Sequence, residues 1–242
     1  MKIKFISMSL LLILLLVFCI FSSLAFGSKN IDLITVIDTL KNLDNNNFEA
    51  IVVKERIPRT VFGLLAGASL GISGTLMQSI TRNPIADPSI LGINTGSALF
   101  VVLGIAFLGV TTYKEYIILA LLGGLITAIS VYLIASIGNG GISPMKLALS
   151  GVIISAILSS LINVVMLPRS EVMSSFRFWQ VGSISGVTWQ SIIVMLPFII
   201  LGIILSFFVA PALNALALGD EVAIGLGVKV GLTRIISSIS VI

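Results

Sequence analysis

Histidine is absent from the 242 residues, cysteine occurs once, and only 10% of the chain is charged. Without histidine there is no usual general base, no imidazole metal ligand and no side chain that titrates near neutrality, which disfavours most hydrolytic chemistry. Cys19 alone can form no intrachain disulfide, and inside an apolar run it reads as a small packed or lipid-facing residue. Fourteen basic against ten acidic residues leave a net charge of +4, too small and too scattered to bind nucleic acid. No Gly-Lys dipeptide occurs, so the chain carries no G-x-x-x-x-G-K-[ST] phosphate loop and is not itself an ATPase of that type. Gly225-Leu226-Gly227 follows no strand and makes no dinucleotide fingerprint. No catalytic residue, metal ligand or cofactor is expected.

What the chain does have is apolar length. It is 57% hydrophobic, with a mean hydropathy of +1.18. Ionised side chains at mid-membrane are costly, so the uncharged gaps mark the candidate spans. These gaps are 5–28, 60–81, 88–113, 116–145, 147–168 and 178–219, the last carrying its apolar segment at 192–209 behind a Gly- and Ser-rich stretch, 180–189. Six complete spans are expected, with a seventh beginning near Gly231. The first has about 22 apolar residues, or roughly 33 Å of helix, which crosses a bilayer and is too long for a secretory signal despite Ser23-Leu24-Ala25. The runs are continuously apolar rather than alternating, so the expected fold is an all-α polytopic transmembrane bundle and not a barrel. Pro58, Pro84, Pro88, Pro144, Pro168 and Pro211 fall at expected span ends, and only Pro197 lies inside a span, where a kink is expected.

With the N-terminus inside, six Lys or Arg (Lys2, Lys4, Arg82, Lys146, Lys229, Arg234) lie inside against eight outside, the reverse of the usual bias. Five of the eight belong to the first outer loop, 27–59, in which Lys29, Lys41, Lys54, Arg56 and Arg59 are matched by Asp32, Asp38, Asp44, Glu49 and Glu55. Lys54, Arg56 and Arg59 at the mouth of the second span suit an acidic extracellular partner or headgroup contacts. Within the same loop Leu33, Ile34, Val36, Ile37 and Leu40 recur at helical spacing, which predicts a short amphipathic helix; Asn45-Asn46-Asn47 then marks a turn.

Gly63, Gly67 and Gly71 recur every four residues with Ser69, Ser73 and Gly74 nearby, a small-residue face expected to pack helices closely; Gly92 and Gly96 repeat the pattern. Polar residues within spans are Gln78, Asn94 and Asn163, the last read as an interhelical hydrogen-bonding group or part of a polar pathway. No charge lies at mid-membrane, which disfavours a proton-coupled carrier and an intramembrane hydrolase.

Two blocks go beyond composition. The first is Arg56-Ile57-Pro58-Arg59-Thr60, then Gly67-Ala68-Ser69-Leu70-Gly71-Ile72-Ser73-Gly74, Gln78, Arg82-Asn83-Pro84-Ile85-Ala86-Asp87-Pro88 and Leu91-Gly92; the second runs from Leu213 through Leu218-Gly219-Asp220-Glu221-Val222-Ala223 to Leu226-Gly227-Val228. Together they resemble the membrane subunit of type II ABC importers, the iron-chelate, haem and vitamin B12 permease family. The segment from Phe178-Trp179-Gln180 to Trp189 is similar to the family's stretch ahead of its sixth span. The likeness runs in order from about residue 32 to the end.

The resemblance implies a subunit of about ten helices that pairs with a second permease copy or a paralogue, binds two cytoplasmic ATPase subunits and receives substrate from an extracytoplasmic binding protein. Against that number the chain reads as a fragment lacking roughly four helices. Carried over by position, Arg56 and Arg59 would dock the binding protein, and Asn83, Pro84 and Ile85 would lie at the cytoplasmic gate. Leu216, Leu218, Gly219, Asp220, Glu221, Ala223, Leu226 and Gly227, within a loop at 210–230, would form the coupling loop against the ATPase. The implied protein sits in the bacterial plasma membrane with its N-terminus inside, and imports ferric siderophore, with haem or cobalamin as alternatives. A channel or carrier not coupled to ATP is the rival from another class.

Overall fold

A computed structural model describes residues 2–42, 47–138 and 142–242, with side chains from Lys4 onward. The expected turn residues Asn45 and Asn46 lie outside the described residues. Among the described residues the structure is all helical: α1 (Lys2–Ala25), α2 (Leu33–Lys41), α3 (Phe48–Thr81), α4 (Ile93–Leu103), α5 (Tyr113–Ala135), α6 (Pro144–Met166), α7 (Ser170–Val181), α8 (Trp189–Leu216), α9 (Asp220–Gly225) and α10 (Val230–Val241). A 3-10 turn, Pro88–Leu91, precedes α4, and a π segment, Gly104–Leu108, follows it.

Five helices, α1, α3, α5, α6 and α8, are long and apolar enough to cross a membrane. The expected third span is shorter than its uncharged run: Ile93–Leu108 holds 16 residues, about 24 Å at 1.5 Å per residue, against roughly 30 Å of hydrocarbon. Asp87 and Gly92 shorten it from the front, the first by capping the 3-10 turn and the second by taking φ +68°. The prolines also divide differently from expectation. Pro144 opens α6 behind the Ser143 cap and Pro88 opens the 3-10 turn, as read. Pro58 and Pro211, however, lie with Pro197 inside helices α3 and α8, which continue through each missing donor. The outer loop is correspondingly shorter than 27–59, because α3 already begins at Phe48.

By its internal contacts the chain separates into two units, residues 1–66 with 184–192, and residues 67–183 with 193–242. The first contains α1, α2 and the start of α3 around a small core of Leu24, Ala25, Ile31, Val36 and Val53. The expected amphipathic helix is α2; it buries Val36 and Thr39 and leaves Leu33 and Ile34 exposed. The side chains of α1 from Leu10 to Leu15 are more than half exposed, a surface suited to lipid and untenable in water.

The second unit has two apolar clusters. One joins Leu76, Met77 and Ile80 of α3 to Leu147 of α6, Leu213 and Leu216 of α8 and Ala223 of α9. The other joins α4 to Ile162, Val172 and Phe176, with Phe176 stacked on Trp179 at 5.7 Å between ring centroids. Its α7 was not among the expected elements, since it lies mostly between two uncharged gaps and carries Glu171 and Arg177; the signal was Val172 and Phe176 at helical spacing. Glycines bring α4 close to α5, and α6 close to the 3-10 turn. A Cβ on Gly96 would stand 1.9 Å from Thr127 Oγ1, one on Gly123 would stand 2.4 Å from the Gly96 carbonyl oxygen, and one on Gly151 would stand 1.7 Å from the Ile90 carbonyl oxygen. The small-residue face read on α3 behaves otherwise: Gly63, Gly67, Gly71 and Gly74 have nothing within 4 Å of a built Cβ. Four-residue spacing puts glycines on one face but does not select its partner; among the described residues, the glycines that a Cβ would drive into neighbouring backbone at under 3 Å are Gly96, Gly123 and Gly151.

The contrast is measurable by thermal unfolding in detergent. Gly123→Ala and Gly151→Ala should each cost about 1–3 kcal/mol through backbone collision, whereas Gly67→Ala should stay within about 0.5 kcal/mol of the parent or gain slightly from helix propensity. Equal melting temperatures for all three would refute this packing.

Candidate coupling site

The first carried-over block turns where α3 ends. Thr81 is the last helical residue, Arg82 takes φ +51°, and the Asn83 amide donates to the Gln78 carbonyl at 3.2 Å, the 6→1 bond of a Schellman motif. Glycine normally fills the position Arg82 occupies; a branched-off side chain there costs roughly 1–2 kcal/mol. Arg82 is the one non-glycine at positive φ among the described residues. Asn83 Oδ1 then accepts from the Ile85 amide at 3.1 Å, and the Ala86 amide donates to the Asn83 carbonyl at 3.1 Å, closing a turn with Ile85 86% exposed. Asp87 follows, its carboxylate accepting from the Ser89 amide at 2.8 Å and holding the 3-10 turn.

The second block forms a six-residue helix, α9, between two glycines. Gly219 precedes it with φ +120°, and Gly227 closes it with φ +82°. The Val228 amide donates to the Ala223 carbonyl and the Gly227 amide to the Ile224 carbonyl, both at 2.9 Å, a complete Schellman closure. Leu216 and Ala223 are buried in the cluster with α3 and α8, and they seat the short helix on the bundle. Leu218, Val222, Ile224 and Leu226 face outward, each about half exposed or more, beside exposed Glu221. Six of the eight carried-over residues thus divide into seats, bracketing glycines and an outer apolar surface, and Asp220 and Glu221 add charge. Ala223 belongs to the seats and is wholly buried against the bundle.

Asp220 joins the two blocks. Its carboxylate accepts from Arg82, and both of its oxygens accept from Arg234 Nη2 at 3.1 Å. Arg234 is 3% exposed; its Nη1 donates to the Ile142 carbonyl at 2.7 Å, and its own carbonyl accepts from Tyr132 Oη at 3.1 Å. Tyr132 also bonds the Ser238 hydroxyl at 2.6 Å. Among the described residues, Arg234 Nε is the buried side-chain nitrogen or oxygen without a partner. Removing one member of a buried pair costs about 3–5 kcal/mol; Asp220 is 38% exposed, which places this pair lower. Sequence reasoning counted Arg82 and Arg234 only as inner charges, because nothing in their spacing from Asp220 announces the contact.

Beside this turn lies a cavity of about 650 Å³, lined among others by Ser69, Ser73, Gln78, Asp87, Asn94 and Ser97. Gln78 and Asn94, read as polar residues in separate spans, meet there. Asn163 does not; it stands exposed on α6.

In the first unit, Arg56 departs from the expectation that it faces outward. It is 6% exposed, its Nη1 donates to the Leu24 and Ala25 carbonyls at 2.7 and 2.9 Å, and its Nη2 donates to the Lys29 carbonyl at 2.5 Å. Those first two carbonyls end α1, where acceptors lack intrahelical partners and a cation is favoured. Charge-assisted bonds of this kind are worth roughly 1.5–3 kcal/mol each, which makes Arg56 a brace. Arg59, one turn on, is partly exposed. The cluster read as three like charges therefore holds one buried cation.

Residues 14–242 match the FecCD transport family. The chain is 36% identical over 231 residues to the ferric enterobactin transport system permease protein FepD of Escherichia coli (strain K12), which covers 95% of this chain and 69% of that protein. It is also 36% identical over 238 residues to the Fe(3+)-citrate import system permease protein YfmD of Bacillus subtilis (strain 168), covering 97% of this chain and 69% of that one. A solved inward-facing ABC transporter assigned to the metal-chelate type superposes with a TM-score of 0.75 at 27% identity, over 95% of this chain and 70% of that chain. The blocks around Arg82 and Asp220, the apolar helices and these matches have one common explanation: the chain belongs to the FecCD transport family.

Proposed function

We propose that the chain is a permease subunit that forms the transmembrane pathway of an ATP-driven importer of ferric siderophores, with hydrolysis carried out by separate cytoplasmic ATPase subunits. The observation that carries the coupling is α9: a short helix seated by Ala223 and Leu216, with Leu218, Val222, Ile224 and Leu226 turned away from the bundle. Exposed apolar side chains on a charged loop suit burial against a partner protein. The names of the relatives, ferric enterobactin and Fe(3+)-citrate permeases, favour a ferric chelate over haem or cobalamin. The chain adds no chemistry; it offers two sets of contacts whose balance the ATPase shifts. In this reading the protein crosses the bacterial plasma membrane several times with its N-terminus inside and pairs with a second permease, copy or paralogue. In the same reading the turn at Asn83, Pro84 and Ile85 lies at the inner mouth, and the cavity beside it, lined by both polar and apolar side chains, belongs to the pathway.

Docking of the extracytoplasmic binding protein falls to Arg59, since Arg56 is committed to the end of α1. A basic surface residue of this kind steers encounter with an acidic partner and fixes its register.

Two tests follow from this division of roles. Ile224→Glu should leave the permease in the membrane but reduce co-purification of the ATPase subunit at least tenfold, by placing a charge in the apolar contact; full recovery of the ATPase would argue against coupling through α9. In the complete importer, Arg59→Glu should weaken binding-protein affinity about tenfold with normal permease yield, whereas Arg56→Glu should lower the yield itself, since it removes a buried brace. Normal yield and lost docking for Arg56→Glu would reverse the assignment.

A further inference from the structure

The coupling reading leaves open how a six-residue helix, seated on the bundle by Ala223 and Leu216, could move anything larger than itself. Its outer face meets the partner; something on its inner side must carry the displacement. The carboxylate of Asp220, its first residue, holds Arg82 at the end of α3 and Arg234 in the first turns of α10. Arg82 is immediately followed by Asn83, Pro84 and Ile85. Arg234 is in turn fastened to the Ile142 carbonyl ahead of α6, and its backbone carbonyl to Tyr132 of α5.

We infer that Asp220 is the positioning residue that transmits α9 movement to the inner mouth, by a two-armed ion pair to Arg82 and Arg234. This rests on the reading of α9 as the ATPase contact. Three features of the cluster support it. Arg82 is retained in a left-handed backbone conformation where glycine would relax the helix end, so the position holds a guanidinium at the expense of backbone comfort. Arg234 is almost wholly buried and lies on the polar inner face of a helix whose outer face is Leu232, Ile235 and Ile239, so its charge is directed to Asp220 and not to solvent. Its Nε has no partner, and among the described residues Asp220 is the carboxylate paired with this cation. A carboxylate shared between an exposed and a buried arginine can follow one while holding the other. A hydrophobic contact such as Ala223 provides adhesion but no direction.

The test uses the permease with its ATPase subunits in lipid nanodiscs, in a Cys19→Ser background, with Ile85→Cys as a reporter at the exposed turn. Labelling of that thiol by a polar maleimide is compared with and without ATP and vanadate. The parent should show a several-fold nucleotide-dependent difference. Asp220→Asn should reduce the difference to none, with Asp220→Glu restoring most of it, and the ATPase recovered with each variant is measured alongside. Arg82→Gly, which removes the side chain while easing the helix end, should behave like Asp220→Asn. A parent-like difference in Asp220→Asn or in Arg82→Gly overturns the inference, as does loss of the ATPase from Asp220→Asn, which would make the carboxylate a direct partner contact. If the parent itself shows no difference, or Ile224→Glu keeps the ATPase, the coupling reading fails first and the inference falls with it.

Discussion

Hydrocarbon supplies no hydrogen bonds, and each polar atom in a chain this apolar has to find its partner within protein. The hydroxyls show the consequence along the helices. Thr75, Ser79, Thr81, Ser130, Ser160 and Ser237 each donate to the carbonyl four residues earlier, at 2.7–3.0 Å. Where a helix must be joined to another, the same rule links elements: Ser97 to the Ala120 carbonyl, Ser240 to the Gly202 carbonyl, Tyr132 to Ser238 and to the Arg234 carbonyl. The α10 helix is inverted relative to a soluble one, with Thr233, Arg234, Ser237 and Ser238 inside and Ile235 and Ile239 outside.

Two buried arginines carry this constraint furthest, and they settle it differently. Among the described residues no carboxylate pairs with Arg56; its donors satisfy three carbonyls around the end of α1, so it closes a helix terminus and fixes the chain that leaves it. Arg234 has one carbonyl and one carboxylate, and that carboxylate is shared. The first arrangement suits a fixed joint, because carbonyls at a helix end cannot change partner without fraying the helix. The second suits a movable one, because an ion pair at a partly exposed carboxylate can tilt and re-form at little cost.

Much of the site was legible. The block that the resemblance marked holds α9, bracketed by Gly219 and Gly227. Pro144 and Pro88, read as lying at span ends, open helical segments behind the caps Ser143 and Asp87. The division of labour within the block was not legible: Ala223 and Ile224 are neighbours in sequence, and only the direction of α8 and the cluster below it make one a seat and the other a surface. Likewise Gly63, Gly67 and Gly71 look more like a packing face than Gly96, Gly123 and Gly151, yet it is the second set whose Cβ positions are already occupied.

The sequence by itself determined the solvent, the helical class, the positions of most apolar segments and the family, because these depend on composition, on gaps between charges and on short motifs read along the chain. It determined that charges such as Arg56, Arg82, Asp220 and Arg234 are few and therefore worth explaining. Tertiary structure alone decided which of them face outward and which are bound to each other: Arg82 and Arg234 lie 138 and 14 residues from Asp220. Local spacing cannot encode a contact of that separation; it arises from how α3, α8 and α10 pack, and so from the whole set of buried side chains that fixes their places.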